Sequence, residues 1–200
     1  MSFIIFGIKV EITFLFVALV AFIISLKAPS NVFITILSSL LHELGHLLMM
    51  LTIGNKPEKV RFEITGINII RNNTNISTKS EILIALGGPL VNAFLFIICC
   101  LILCLYNTEM ISTFACVNLI LMTFNILPIK RLDGGIALYY LLSQKYQMPF
   151  CSNCIKITSI IFIILIYIWG IYVFIASNYN ISLIIIAIFL TLSLFGNNEC

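Results

Sequence analysis

The chain has 200 residues, 61% of them hydrophobic and only 10% charged, with a formal net charge of +3. A soluble domain carries about a quarter charged residues and no more than about half apolar ones, so this composition excludes an ordinary water-soluble globule. Eleven basic residues spread along the chain form no basic groove for nucleic acid.

The apolar residues fall in long blocks that read as membrane-spanning helices, because only helices or closed barrels satisfy their backbone in lipid. Six blocks are predicted, at roughly 10–26, 32–54, 81–106, 110–128, 157–176 and 181–196. The expected fold is an all-α polytopic membrane protein of six transmembrane helices, a single integral-membrane domain over residues 1–200. The first block is expected to be retained, since no basic region leads into it and no small-residue cleavage site follows it. Six spans put both termini on one side together with the loops after spans 2 and 4. That side receives ten of the eleven basic residues, Lys27 alone falling on the other, so it is expected to be cytoplasmic.

The second block contains His42-Glu43-Leu44-Gly45-His46. An ionisable side chain inside an apolar span is costly and is by default a functional candidate. Residues four apart share one helix face, so His42 and His46 can offer imidazole nitrogens to one metal ion. Glu43 borders that face, where it can act on a water at the metal without being a ligand. The bland alternative is a pair of buried histidines bonded to backbone carbonyls. A catalytic zinc usually takes three protein ligands, and no third histidine exists in the chain.

The loop after the second block alternates polar and apolar residues over Lys59–Ile64, can turn at Thr65-Gly66, and resumes at Ile67-Asn68-Ile69. This predicts a short β-hairpin between helices 2 and 3. Its exposed edge can hold an unwound substrate by strand addition, or be a plain cytoplasmic hairpin. The third block contains Gly87-Gly88-Pro89-Leu90-Val91-Asn92.

The fourth block ends in Asn125-Ile126-Leu127-Pro128-Ile129-Lys130-Arg131-Leu132-Asp133-Gly134-Gly135. Pro128 cannot continue a regular helix, and a broken helix can line a cavity at membrane depth. Asp133 is the chain's single aspartate and the natural candidate for the third metal ligand. A plain cytoplasmic loop is the competing reading of this stretch, favoured locally by Lys130 and Arg131. Cys99, Cys100, Cys104 and Cys116 sit in spans as small apolar fillers. Cys151 and Cys154 form one CxxC in a predicted cytoplasmic loop, and a zinc ribbon would need a second pair.

These motifs resemble the site-2 protease family of intramembrane metalloproteases, whose signature is HExxH in one helix and NxxPxxxLDG in a later one. Every fixed position matches: His42, Glu43 and His46, then Asn125, Pro128, Leu132, Asp133 and Gly134. Gly87 to Asn92 is similar to the family's G-P-x-x-N stretch. The resemblance covers the second to fourth blocks, about half the chain. It implies one zinc ion held by His42, His46 and Asp133, a water activated by Glu43, and cleavage within or beside a substrate's membrane segment. It also implies that Asn92 and Asn125 bind substrate backbone or a developing oxyanion, helix-packing glue being the alternative.

The loop after the second block is too short for a PDZ domain, so the compact branch typified by the stage IV sporulation protease is the nearest type. Its substrate is a membrane-associated pro-sigma factor. This sequence ends at Cys200, directly after the sixth block, so control by a following CBS domain is not expected. Expected partners are the lipid bilayer and a membrane-associated protein substrate, with a membrane inhibitor or a second copy of the chain also considered.

Two rival readings exist. A non-enzymatic membrane zinc protein, either a transporter or an inactive scaffold, would want a polar path through the bilayer or a lost ligand, and neither is visible. A CAAX-type membrane protease would take its third ligand from a glutamate on a later helix, but Glu81, Glu109 and Glu199 lie at span ends or the terminus.

Overall fold

The computed structural model describes residues 2–5, 8–13, 30–55, 57–63, 66–70, 76–106, 108–177 and 179–195. Four strands are described: β1 (Ser2–Ile5), β2 (Ile8–Ile12), β3 (Lys59–Glu63) and β4 (Gly66–Ile70). The helices are α1 (Ser30–Thr52), α2 (Thr78–Leu103), α3 (Glu109–Asn125), α4 (Asp133–Ser143), α5 (Met148–Ala176) and α6 (Ser182–Phe195). The chain divides into two compact units, Met1–Thr123 and Phe124–Cys200.

In the first unit the strands form one sheet in the order β1-β2-β3-β4. Outer neighbours pair antiparallel, and β2 and β3 run parallel with Lys9 opposite Lys59 and Glu11 opposite Arg61. Period-two alternation puts these four charged residues on one face. Glu11 binds Lys59 at 2.7 Å, Lys9 at 3.2 Å and Arg61 at 3.2 Å. The hydrogen bond from Lys59, reinforced by those from Lys9 and Arg61, lowers the Glu11 carboxyl to a pKa of about 2 against some opposition from burial. Val60, on the other face, is buried. The expected hairpin segment is thus part of a larger sheet. In it β3 and β4 pair antiparallel with Glu63 opposite Gly66, while residues 64–65 lie outside the described residues.

Two residues beyond α1, Gly54 has φ +79°, the backbone conformation that releases a helix into a turn. Helix α2 starts at the N-cap Ser77, whose hydroxyl accepts from the Ser80 N–H at 3.2 Å. The two helices cross glycine on glycine. A Cβ at Gly45 would stand 2.5 Å from the Gly87 carbonyl oxygen, and one at Gly87 would stand 2.7 Å from that of Gly45. Small residues at such a crossing let the backbones touch, which in lipid is the main source of helix association.

In the second unit, α5 and α6 enclose a core of Ile129, Ile163 and Leu190, with Leu132, Phe162 and Leu194 against it. Helix α3 stops at Asn125, short of the expected end at 128, because Pro128 disfavours helical backbone in the residue before it. Asp133 then opens a separate helix, α4, and does not lie in a plain loop. Helix α5 starts at Met148 with Pro149 in its first turn, so Cys151 and Cys154 lie in a helix and not in the expected loop. Proline fits the start of a helix because the first N–H groups have no partner there anyway. Cys151 is fully buried.

Among the described residues, three helices are long and apolar enough to cross a bilayer, within Asn31–Thr52, Thr78–Leu103 and Met148–Ala176. Helices α3 and α6 have 17 and 14 residues, so at 1.5 Å per residue they are about 26 and 21 Å long, shorter than a hydrocarbon core of about 30 Å. The first expected span, 10–26, starts in the sheet at β2, and its residues 14–26 lie outside the described residues.

Candidate metal centre

Helix α1 turns one face inward, carrying Ile34, Ser38, His42 and Gly45, all buried. The i, i+4 spacing stacks His42 and His46, and their rings meet edge to face with centroids 4.9 Å apart. Their Nε2 atoms converge at 3.3 Å. Two nitrogens bound to one tetrahedral zinc at about 2.05 Å must stand about 3.3–3.4 Å apart, so the pair already has the spacing of two zinc ligands.

The other ring nitrogens are held from α2. His46 Nδ1 lies 2.8 Å from the carbonyl oxygen of Ile84. A carbonyl only accepts, so the hydrogen sits on Nδ1 and Nε2 keeps its lone pair for a metal. The Gly88 N–H also faces Nδ1, at 3.4 Å, and the shorter contact decides the tautomer. His42 Nδ1 lies 3.1 Å from the side-chain amide of Asn92. Asn92 is fully buried and its Oδ1 has no hydrogen-bond partner. A half turn of the amide exchanges nitrogen and oxygen, and Oδ1 then accepts from His42 Nδ1–H. Both imidazoles thereby present Nε2 to the same point.

Gly88 faces that point. A Cβ there would collide with Nε2 of His46 and would come within 2.7 Å of Nε2 of His42. The space a side chain would fill is thus left open at the convergence of the two donors. The donor chemistry, the spacing and the cradle all fit a zinc ion.

Glu43, next to His42 on α1, is half-buried. One turn before His42, Ser38 accepts from Asn118 Nδ2 of α3 at 3.2 Å, and the same nitrogen donates to the Phe114 carbonyl at 2.8 Å. Sequence reasoning passed over this Ser38–Asn118 pair; two polar residues with no partner in their own motif were the available signal.

In the second unit, Asn125 is the last residue of α3 and Asp133 the first of α4, and both are half-buried. The start of α4 folds back on the preceding segment. A Cβ at Gly134 would strike the Ile126 carbonyl, and one at Gly135 the Ile129 carbonyl. The glycines after Asp133 are therefore there for close approach. Within the first unit the structure brings His42, His46 and Asn92 together, with the Asn92 amide against Nδ1 of His42.

No family model matches the chain. It is 30% identical over 155 residues to a zinc metalloprotease of Methanocaldococcus jannaschii, covering 71% of this chain and 45% of that protein. It is 26% identical over 159 residues to stage IV sporulation protein FB of Bacillus subtilis, covering 78% and 54%. The chain spans about half the length of these curated relatives. A solved site-2 protease from Methanocaldococcus jannaschii has the same fold, with a TM-score of 0.68 and 23% identity over all of this chain and 95% of that one. With the histidine pair on one face of α1 and the NxxPxxxLDG segment opening α4, the chain belongs to the site-2 protease family.

Proposed function

We propose that the chain is an intramembrane zinc metalloendopeptidase that cuts a peptide bond in or beside a membrane segment of a substrate protein. The observation that carries this reading is the 3.3 Å convergence of the two Nε2 atoms over the space that Gly88 leaves open. His42, His46 and Asp133 would hold one zinc ion. Asp133 is proposed on its chemistry as the one aspartate of the chain and on its place in the NxxPxxxLDG motif. Zinc, when bound, supplies a Lewis acid for the scissile carbonyl and makes water acidic enough to attack at neutral pH.

The chain's own residues do the rest. Glu43 takes the proton from the attacking water and passes it to the leaving amine. Asn92 and the Ile84 carbonyl hold the two imidazoles, so neither ring reorganises during turnover. Asn92 and Asn125 are also the candidates for binding substrate backbone or the developing oxyanion. Helical peptide bonds are sterically covered, so the substrate must unwind before it reacts, and the edge of the sheet is a surface on which an extended segment can pair.

Six spans, a single catalytic domain with its core at about 32–144, cytoplasmic termini and a site toward the cytoplasm complete the proposal. They are supported by the distribution of apolar blocks and of basic residues. The motif resemblance to the compact branch of the family supports a membrane-associated protein substrate such as a pro-sigma factor. The test is cleavage of a membrane-anchored substrate by the purified chain. Activity should vanish with a chelator and return with zinc; cleavage that survives full zinc removal would refute the proposal.

A further inference from the structure

Residues 126–132 must deliver the Asp133 carboxylate without the regular hydrogen bonds of a helix or a sheet. Two tight turns take part of the backbone: Ile129 N–H donates to the Leu127 carbonyl, and Leu132 N–H to that of Ile129, both at 2.8 Å. The groups on either side of Ile129 are met from α5. Lys130 N–H donates to Ser159 Oγ at 2.9 Å, and Thr158 Oγ1 lies 3.1 Å from the Pro128 carbonyl oxygen. Between them, Ile129 is 2% exposed and belongs to the same core as Ile163, one turn beyond Ser159 on α5.

Ser159 is the firmer of the two fastenings. Its hydroxyl donates to the Ile155 carbonyl at 2.6 Å, so its hydrogen is committed and a lone pair is left for Lys130 N–H. Thr158 divides its hydrogen between Pro128 and its own helix, where the Ile155 carbonyl lies at 3.0 Å. A serine bonding back to the carbonyl four residues earlier is ordinary in a membrane helix. The bond to Lys130 N–H is not, because it joins a fully buried hydroxyl in an apolar helix to the segment that carries Asp133.

We infer that Ser159, assisted by Thr158, is a positioning residue for Asp133: it fixes the 128–130 backbone against α5 and so sets the carboxylate in place before any metal binds. This rests on the reading of Asp133 as a zinc ligand. Removing the hydroxyl takes the acceptor from the Lys130 N–H, and the segment loses its tether three residues before Asp133.

The test uses the full chain in detergent, metal-free and zinc-loaded, with Ser159→Ala, Asp133→Ala and, as a control for losing a buried serine elsewhere, Ser38→Ala. In metal-free Ser159→Ala the Lys130 amide should exchange with solvent much faster than in the wild type, while residues 163–176 keep their protection. Its zinc affinity, by chelator competition, should fall about tenfold, at the low end for partners that orient ligands. Ser38→Ala should leave Lys130 exchange unchanged. Unchanged zinc affinity in Ser159→Ala beside a large loss in Asp133→Ala would overturn this inference alone. Unchanged affinity in Asp133→Ala would overturn the ligand reading and this inference with it. Should Ser159→Ala fail to fold, Thr158→Val set against Thr158→Ser decides: a loss of zinc affinity in the first that the second restores supports the role, and equal affinities refute it.

Discussion

The amide of Asn92 lies 3.1 Å from Nδ1 of His42, fully buried, on the side of the ring away from the Nε2 that meets His46. One amide thereby decides which nitrogen of His42 faces the metal position. Replacing Asn92 with leucine, close in volume and without a hydrogen bond, should cost about 10–100-fold in zinc affinity. Chelator competition on the purified variant checks it, and wild-type affinity would return Asn92 to the role of helix glue.

Gly88→Ala should be more severe than its size suggests. The added methyl would sit against both Nε2 atoms, so the variant should purify without zinc while α1 and α2 still cross at Gly45 and Gly87. Metal analysis after dialysis measures this, and a wild-type zinc content would contradict it.

Asn118→Leu removes the bond to Ser38 and the one to the Phe114 carbonyl. Polar contacts between membrane helices average about 0.6 kcal/mol and reach about 1.7, so a loss of about 1 kcal/mol is expected. Unfolding in a detergent–denaturant series reads it, and the double variant with Ser38→Ala should lose little more than Asn118→Leu alone, because the two residues share one bond.

The sheet should withstand acid. Glu11 has its pKa lowered in the folded state from 4.5 to about 2, chiefly by the hydrogen bond from Lys59. A depressed carboxyl contributes its stability fully above the unfolded value and loses it as pH falls through the folded one. Amide protection across β2 and β3 should therefore hold to about pH 4.5 and decline toward pH 2. Loss of protection already at pH 6, or a Glu11→Gln variant as acid-resistant as the wild type below pH 4, would contradict the ion-pair account.

The metal centre was legible in the sequence because its chemistry is local: His42 and His46 need only the helical repeat to converge. Asp133, the proposed third ligand, stands out in the sequence as the chain's one aspartate, in a motif. The N-terminal strands were not. Ile8-Lys9-Val10-Glu11-Ile12 alternates with period two, but it runs into an apolar block, and the block absorbed it as the start of a span. Parallel pairing of β2 with β3 joins residues 50 apart, which no local pattern announces. Ser159 was equally hidden, since a lone serine in an apolar helix acquires a role only when Lys130 is folded against it. The early stop of α3 is a local effect of Pro128, which keeps the residue before it out of the helical region.

Zinc content and cleavage measured together on Glu43→Gln test the central claim most directly. Glutamine keeps the shape and cannot carry the proton, so the variant should hold as much zinc as the wild type and leave a membrane-anchored substrate uncut. Wild-type cleavage by Glu43→Gln would contradict the account.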